Sequence, residues 1–104
     1  MKNQILENIR TLKRQILPNE KLILFGSQAR GDAHEDSDWD LLVLLNKNES
    51  NFNEDYSKYA YPFDKLGWEY GVAINAIIRN NEQRKQSKNF PFYMNVMREG
   101  IEIK

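Results

Sequence analysis

The sequence predicts a mixed α/β fold in which a small mixed sheet of about three core strands is flanked by three or four helices. Three observations carry this. Two short apolar runs, Lys21-Leu22-Ile23-Leu24-Phe25 and Leu41-Leu42-Val43-Leu44-Leu45, have the length and composition of buried strands. Apolar residues recur at helical spacing on either side of them, at Ile5, Ile9, Leu12 and Ile16 and again at Phe52, Tyr56, Tyr59, Phe63 and Leu66. The 13 residues between Phe25 and Trp39 are too many for a hairpin in so short a chain, and long loops of this kind are commonly functional.

The first element is an amphipathic helix over residues 2–17, ended by Pro18 and Asn19. Gly26 stops the first strand, and a short turn or helix follows over 27–31. The acidic loop 32–37 carries His34, the only histidine, which reads as a solvated loop residue. The second strand, 39–45, is apolar almost throughout and so expects cover on both faces. After a polar loop, the aromatic helix beginning at Phe52 should kink or restart at Pro62. Gly67 and Gly71 should bracket a turn before a third strand over 72–78. A polar helix over 81–87 and a helix from Pro91 to Gly100 follow, and Ile101-Glu102-Ile103 reads as a short terminal strand. No repeat or linker divides the chain, so residues 1–104 are expected to form a single domain.

Composition narrows the function. Lys plus Arg and Asp plus Glu each number 15, so bulk charge gives no argument for a non-specific nucleic-acid ligand. The absence of cysteine removes disulfides, thiolate metal sites and cysteine nucleophiles. No stretch approaches the roughly 20 apolar residues of a membrane span, and the amino terminus lacks an apolar signal segment. A soluble cytoplasmic protein without membrane association is the expectation.

The chemistry collects between the first two strands. Side chains alternate along a strand, so Asp38 and Asp40 share a face about 7 Å apart. Two such like charges repel unless a cation sits between them, and Mg²⁺ favours carboxylate oxygens together with water and substrate phosphate. Gly26 lets the chain turn sharply and a ligand approach the backbone. Ser27 adds a hydroxyl at the start of a helical turn, where anions are attracted. Arg30 is placed to hold a phosphate, or to pair with Asp32 or Asp36 and brace the loop. Ser37 is placed to cap the turn that aims Asp38.

Gly26-Ser27, ten intervening residues and Asp38-x-Asp40 resemble the signature of the polymerase-β-like nucleotidyltransferase superfamily. The wider strings Phe25-Gly-Ser-Gln-Ala-Arg-Gly-Asp and Ser37-Asp-Trp-Asp-Leu-Leu-Val are similar to those of its minimal nucleotidyltransferase (MNT) branch. The resemblance implies that Asp38 and Asp40 are catalytic metal ligands for Mg²⁺ at a two-metal site. It implies that Gly26 and Ser27, with Arg30, bind a nucleoside triphosphate such as ATP, whose nucleoside monophosphate passes to a hydroxyl of a protein or small-molecule acceptor. It further implies a small helical toxin-like protein as partner, and in some members adenylation of that partner.

One position departs from the family pattern. The superfamily carries a third carboxylate on the next strand, where this chain has Asn75; an amide has no charge and cannot act as a base. Asp64 and Glu69 precede that strand. The departure weakens the second metal most, and it motivates an alternative reading as a catalytically weakened, antitoxin-like binding module. Elsewhere, Trp39, Trp68, Tyr70 and the Tyr56/Tyr59/Phe63 stripe read as core. Pro91-Phe92-Tyr93 reads as packing on the sheet, or else as the wall of a nucleotide pocket. Arg79, Arg84, Lys85 and Lys88 form a basic cluster that reads as a solvated face.

Overall fold

The computed structural model describes residues 2–34 and 37–104. Helix α1, Lys2–Ile16, leads into β1, Lys21–Phe25, and the short α2, Ser27–Arg30. Then come β2, Trp39–Leu44, and a long helical passage made of α3, Phe52–Asp55, a π-helical turn, Tyr56–Ala60, and α4, Tyr61–Tyr70. Strand β3, Ile74–Arg79, is followed by α5, Asn81–Ser87, α6, Pro91–Glu99, and β4, Ile101–Ile103. Among the described residues no helix is long and apolar enough to cross a membrane.

The strands form one mixed sheet in the order β3-β2-β1-β4. β1 runs antiparallel to both β2 and β4, while β2 and β3 are parallel. A parallel pair needs a crossover, and the α3–α4 passage supplies it. Alternation along the strands divides the core in two. Leu22, Leu24, Leu41, Val43 and Ile74 face α1 and α4, packing with Ile5, Ile9 and Phe63. Ile23, Leu42 and Leu44 face the other way and meet Val96 of α6, with Phe25, Ile77 and Tyr93 at the margin. Leu41 to Leu45 are all buried, as a strand covered on both faces requires. The second face has only α6 over it in that cluster, and the end of the sheet at Asp40 and Asn75 lies on this side.

Of two expectations about the aromatic passage, one holds and one is corrected. The α-helix restarts at Pro62: the π-turn comes first, and Pro62 then falls in the first turn of α4, where its missing N–H leaves no helical bond unmade. Gly67, however, does not open a turn: α4 runs through it to Tyr70, and Gly71 ends the helix with its N–H donating to the carbonyls of Gly67 and Trp68. Gly67 is where α4 crosses the start of β3. A Cβ there would lie 2.6 Å from the Val72 carbonyl oxygen and 3.1 Å from the Ile74 nitrogen. Alanine favours a helix by up to about 1 kcal/mol over glycine, but overpacking of this kind costs about 1–3 kcal/mol. Gly67→Ala is therefore expected to lower the urea midpoint; an unchanged or raised midpoint contradicts the close crossing.

Trp39, Phe63, Tyr59 and Tyr70 pack in or against the core as expected. Trp68 and Tyr56 do not: they are 65% and 39% exposed. Trp68 stands five residues beyond Phe63, about 140° around the helix, and so points away from the sheet. It rests edge-on against Tyr61, with ring centres 5.8 Å apart. The loop after β2 is fastened by Lys47, whose ammonium donates to the buried Asp55 carboxylate at 2.5 Å. That hydrogen bond raises the Lys47 pKa above its ordinary value of 10.5. Asn51 caps α3 by accepting from the Glu54 N–H, and an Asn80–Gln83 capping box starts α5.

Candidate active site

Three strands place the polar residues. Strand pairing sets Phe25 opposite Asp40 on one side and Asn75 opposite Asp40 on the other. The apolar residues of these strands fix the register, since a slip of one position would turn Leu41 and Val43 out of the core. That register brings Asp38, Asp40 and Asn75 together on the sheet face that also carries Leu42 and Ile77. The Asn75 amide nitrogen donates to Asp38 Oδ2 and to Asp40 Oδ1, both at 3.3 Å. One point is thus within reach of both carboxylates. Asp38 and Asn75 are exposed there, and Asp40 is half-buried.

Gly26 completes the floor. Its backbone lies at φ 76°, ψ −157°, a region essentially reserved for glycine. A Cβ on Gly26 would sit 2.6 Å from Asp40 Oδ2. Asp40 is therefore held between two neighbours, one oxygen toward Asn75 and the other against the Gly26 backbone. Ser27 begins α2, and the Gly26 carbonyl accepts from Ala29 and Arg30 at 3.1 Å. Gly26→Ala adds backbone strain of about 1–3 kcal/mol and drives a methyl into the Asp40 carboxylate. The expected result is a lower thermal midpoint; an unchanged midpoint would show that the contact with Asp40 is immaterial.

Arg30 pairs with Asp32 at 3.4 Å and with Glu99 of α6 at 3.7 Å, both on the surface. Asp36, the other partner considered for it, lies outside the described residues. Ser37 is tied to His34 just ahead of Asp38, as a capping residue there should be: its hydroxyl accepts from the His34 N–H at 2.7 Å, and its own N–H donates to the His34 carbonyl. His34 is exposed, as a solvated loop residue should be. Gln28, which sequence reading passed over, is buried in α2 and donates to the Ser37 carbonyl at 3.4 Å. It ties the Gly-Ser turn to the segment that delivers Asp38. A polar residue on the first turn after a glycine was its only signal.

Neither nearby acid replaces a third carboxylate. Asp64 accepts from the Tyr56 hydroxyl, a bond that raises the Tyr56 pKa. Glu69 borders a groove with Asn8, Thr11 and Leu12 of α1, on the opposite side of the sheet. Among the described residues no three His, Cys, Asp or Glu side chains cluster as metal ligands. Of the basic cluster, Arg84, Lys85 and Lys88 border one surface hollow, while Arg79 folds back to donate to the Ile78 carbonyl at 2.8 Å.

A mixed sheet whose first strand ends in a Gly-Ser turn, and whose second opens on a same-face Asp pair, is a nucleotidyltransferase-type fold. Residues 3–93 match the nucleotidyltransferase domain family, and the chain belongs to that family. A protein of Methanocaldococcus jannaschii to which protein adenylyltransferase activity is ascribed is 40% identical over 84 residues, covering 78% of this chain and 74% of its own. A crystallised toxin–antitoxin with AMP-PNP shares the fold at a TM-score of 0.62 with 19% identity, over 95% of this chain and 72% of that one.

Proposed function

We propose that this chain transfers adenylate from ATP to a hydroxyl of a protein acceptor, with Asp38 and Asp40 as the catalytic Mg²⁺ ligands and Gly26, Ser27 and Arg30 binding the triphosphate. The observation that supports this most is the convergence of Asp38 Oδ2 and Asp40 Oδ1 on a single point, each 3.3 Å from the Asn75 nitrogen. Paired hard oxygens suit a hard cation that also binds phosphate. Such a cation, when bound, would offset the charge of the triphosphate and of the departing pyrophosphate. A second one would find only Asn75 where the family has its third acid, and would be held weakly.

The chain's own residues supply placement. Gly26 leaves space for phosphate beside Asp40, and the first-turn N–H groups of Ser27 and Gln28 have no acceptor within so short a helix. The acceptor oxygen forms a bond to the α-phosphorus while the α–β phosphoanhydride bond breaks and pyrophosphate leaves. The hydroxyl proton passes to water or to a phosphate oxygen, since Asn75 cannot take it. The activity ascribed to the archaeal relative and the toxin–antitoxin neighbour favour a protein acceptor, with a small helical toxin-like protein as the candidate.

Asn75 also supports a second reading, in which the chain is a weakened nucleotidyltransferase that binds and neutralises its partner without modifying it. The two readings separate by intact-mass measurement of the protein encoded next to this one, after incubation with this chain and Mg·ATP. A gain of one adenylate, lost on chelation of the metal, is the expected result. A tight complex that survives Asp40→Ala with no mass gain would instead establish the binding module.

A further inference from the structure

A groove of about 300 Å³ runs beside β3, lined by Ala76, Ile77, Ile78 and Arg79 with Phe52 and Tyr56 among others. Side chains alternate along the strand: Ala76 and Ile78 pack toward α1 and α4, and Ile77 toward the other face. A groove that touches these consecutive residues therefore follows the backbone edge, and β3 is an outermost strand of the sheet. The Trp39 N–H donates to the Ala73 carbonyl and the Leu45 N–H to that of Arg79. Odd-numbered residues of β3 thus turn their backbone groups toward β2, while Ala76 and Ile78 turn theirs outward. Among the described residues only one of these outward groups has a partner, the Ile78 carbonyl, which accepts from the Arg79 guanidinium at 2.8 Å. Phe52 and Tyr56 wall the groove with their rings stacked 6.3 Å apart, and Phe52 is 81% exposed. The open edge stops at Ile74, where α4 crosses it: a Cβ on Gly67 would lie 3.1 Å from the Ile74 nitrogen. Unpaired edges template the addition of another strand, and exposed apolar patches mark contact surfaces.

We propose that this groove takes an extended segment of the protein acceptor, which adds as a strand beside Ala76 and Ile78, with apolar residues toward Phe52 and Tyr56 and acidic residues toward Arg79. The identity of the occupant rests on the protein-acceptor reading above; the edge and its walls do not. In strand addition main-chain hydrogen bonds supply affinity, and alternate side chains supply specificity. Arg79 swings from the Ile78 carbonyl to a carboxylate of the segment, which frees that carbonyl for a partner N–H. Helix α5 and its cap add Arg84, Lys85 and Lys88 against one acid, Glu82, so the complementary segment is acidic. The next residue of β3 toward the site is Asn75, across from Asp40. A segment leaving the edge there is two strand spacings from Asp40, about 10 Å, a gap that about three extended residues span. Because α4 closes the edge at Ile74 from the opposite face, the segment leaves on the face of the aspartates, where its hydroxyl is needed. A second copy paired edge to edge fits less well, because its own Phe52 and Tyr56 would stand on the same face of the continued sheet and crowd the groove.

Calorimetry with a synthetic peptide in which valine and glutamate alternate, and with its valine–lysine counterpart, tests this on the full chain. The glutamate peptide is expected to bind, and the lysine peptide to bind about tenfold more weakly or not at all. Phe52→Ser and Arg79→Glu are each expected to weaken the glutamate peptide about tenfold or more, the scale of a lost anchor, with Mg·ATP affinity unchanged. Ile78→Pro removes an outward N–H and leaves the bonds to β2 intact, as an edge strand allows; it should weaken the peptide with little change in thermal midpoint. The same variants should slow transfer to the protein encoded next to this one through KM rather than kcat. Peptide binding and transfer unaltered in Phe52→Ser and Arg79→Glu overturn the groove and leave the nucleotidyl-transfer reading standing. Equal affinity for the two peptides overturns it as well. So does a wild-type dimer in sedimentation that Ile78→Pro dissociates, because the edge then belongs to a second copy. Peptide binding through the groove with no transfer by the wild-type chain overturns the acceptor reading and, with it, the occupant named here.

Discussion

Asp40→Asn is expected to abolish adenylate transfer, lowering its rate by about 10³-fold or more, the equivalent of losing several kcal/mol of charge stabilisation. The substitution preserves shape, so the close fit against Gly26 and the strand pairing with Phe25 and Asn75 should survive. What changes is charge: one carboxylate, Asp38, would face two amides. The thermal midpoint is expected to move little while Mg·ATP affinity and single-turnover transfer collapse together. Transfer within tenfold of wild type would show that Asp40 is a framework residue only.

The second large effect runs in the opposite direction. Asn75 stands directly across from Asp40 and bridges both aspartates through its amide. Asn75→Asp supplies a third acid in the register position across from Asp40. A positioned general base contributes about 10²–10⁴-fold, so transfer should accelerate by at least tenfold, with a steeper dependence on Mg²⁺ concentration as a second ion gains its ligand. In the absence of metal the same variant should be less stable than wild type. Two amide hydrogen bonds, each worth about 1 kcal/mol, give way to like-charge repulsion, and saturating Mg²⁺ should restore the loss by mass action. A thermal melt with and without Mg²⁺, beside a transfer assay, checks both parts. Slower transfer with no Mg²⁺-dependent recovery would mean that Asn75 is required as an amide.

The strands and the Asp pair were legible because their signals are local. An apolar run stopped by Gly26 and another opened by Asp38-Trp39-Asp40 need only strand alternation to be read. Asn75 was legible only through the resemblance, as the residue standing where a third carboxylate is expected, and it lies on the edge strand β3 directly across from Asp40. Other features depend on packing between distant segments. Gly67 looks like a turn residue until α4 is laid across Val72 and Ile74, when the missing side chain becomes the reason the helix can pass. Trp68 reads as core by residue type, yet five residues beyond Phe63 it stands about 140° around α4 and turns outward. Periodicity gives α6 an apolar side, but it does not say which face of the sheet that side covers. That α6 lies on the face of the aspartates, with Phe92 beside Phe25, follows only from the assembled fold.

A calorimetric titration of ATP into the protein decides whether Asp38 and Asp40 hold a nucleotide through metal. Binding should be saturable with Mg²⁺ present, should fall at least tenfold when the metal is chelated, and should fall comparably in Asp38→Ala and Asp40→Ala. No binding of Mg·ATP to the wild-type chain, or binding indifferent to both the metal and the two aspartates, would contradict that role.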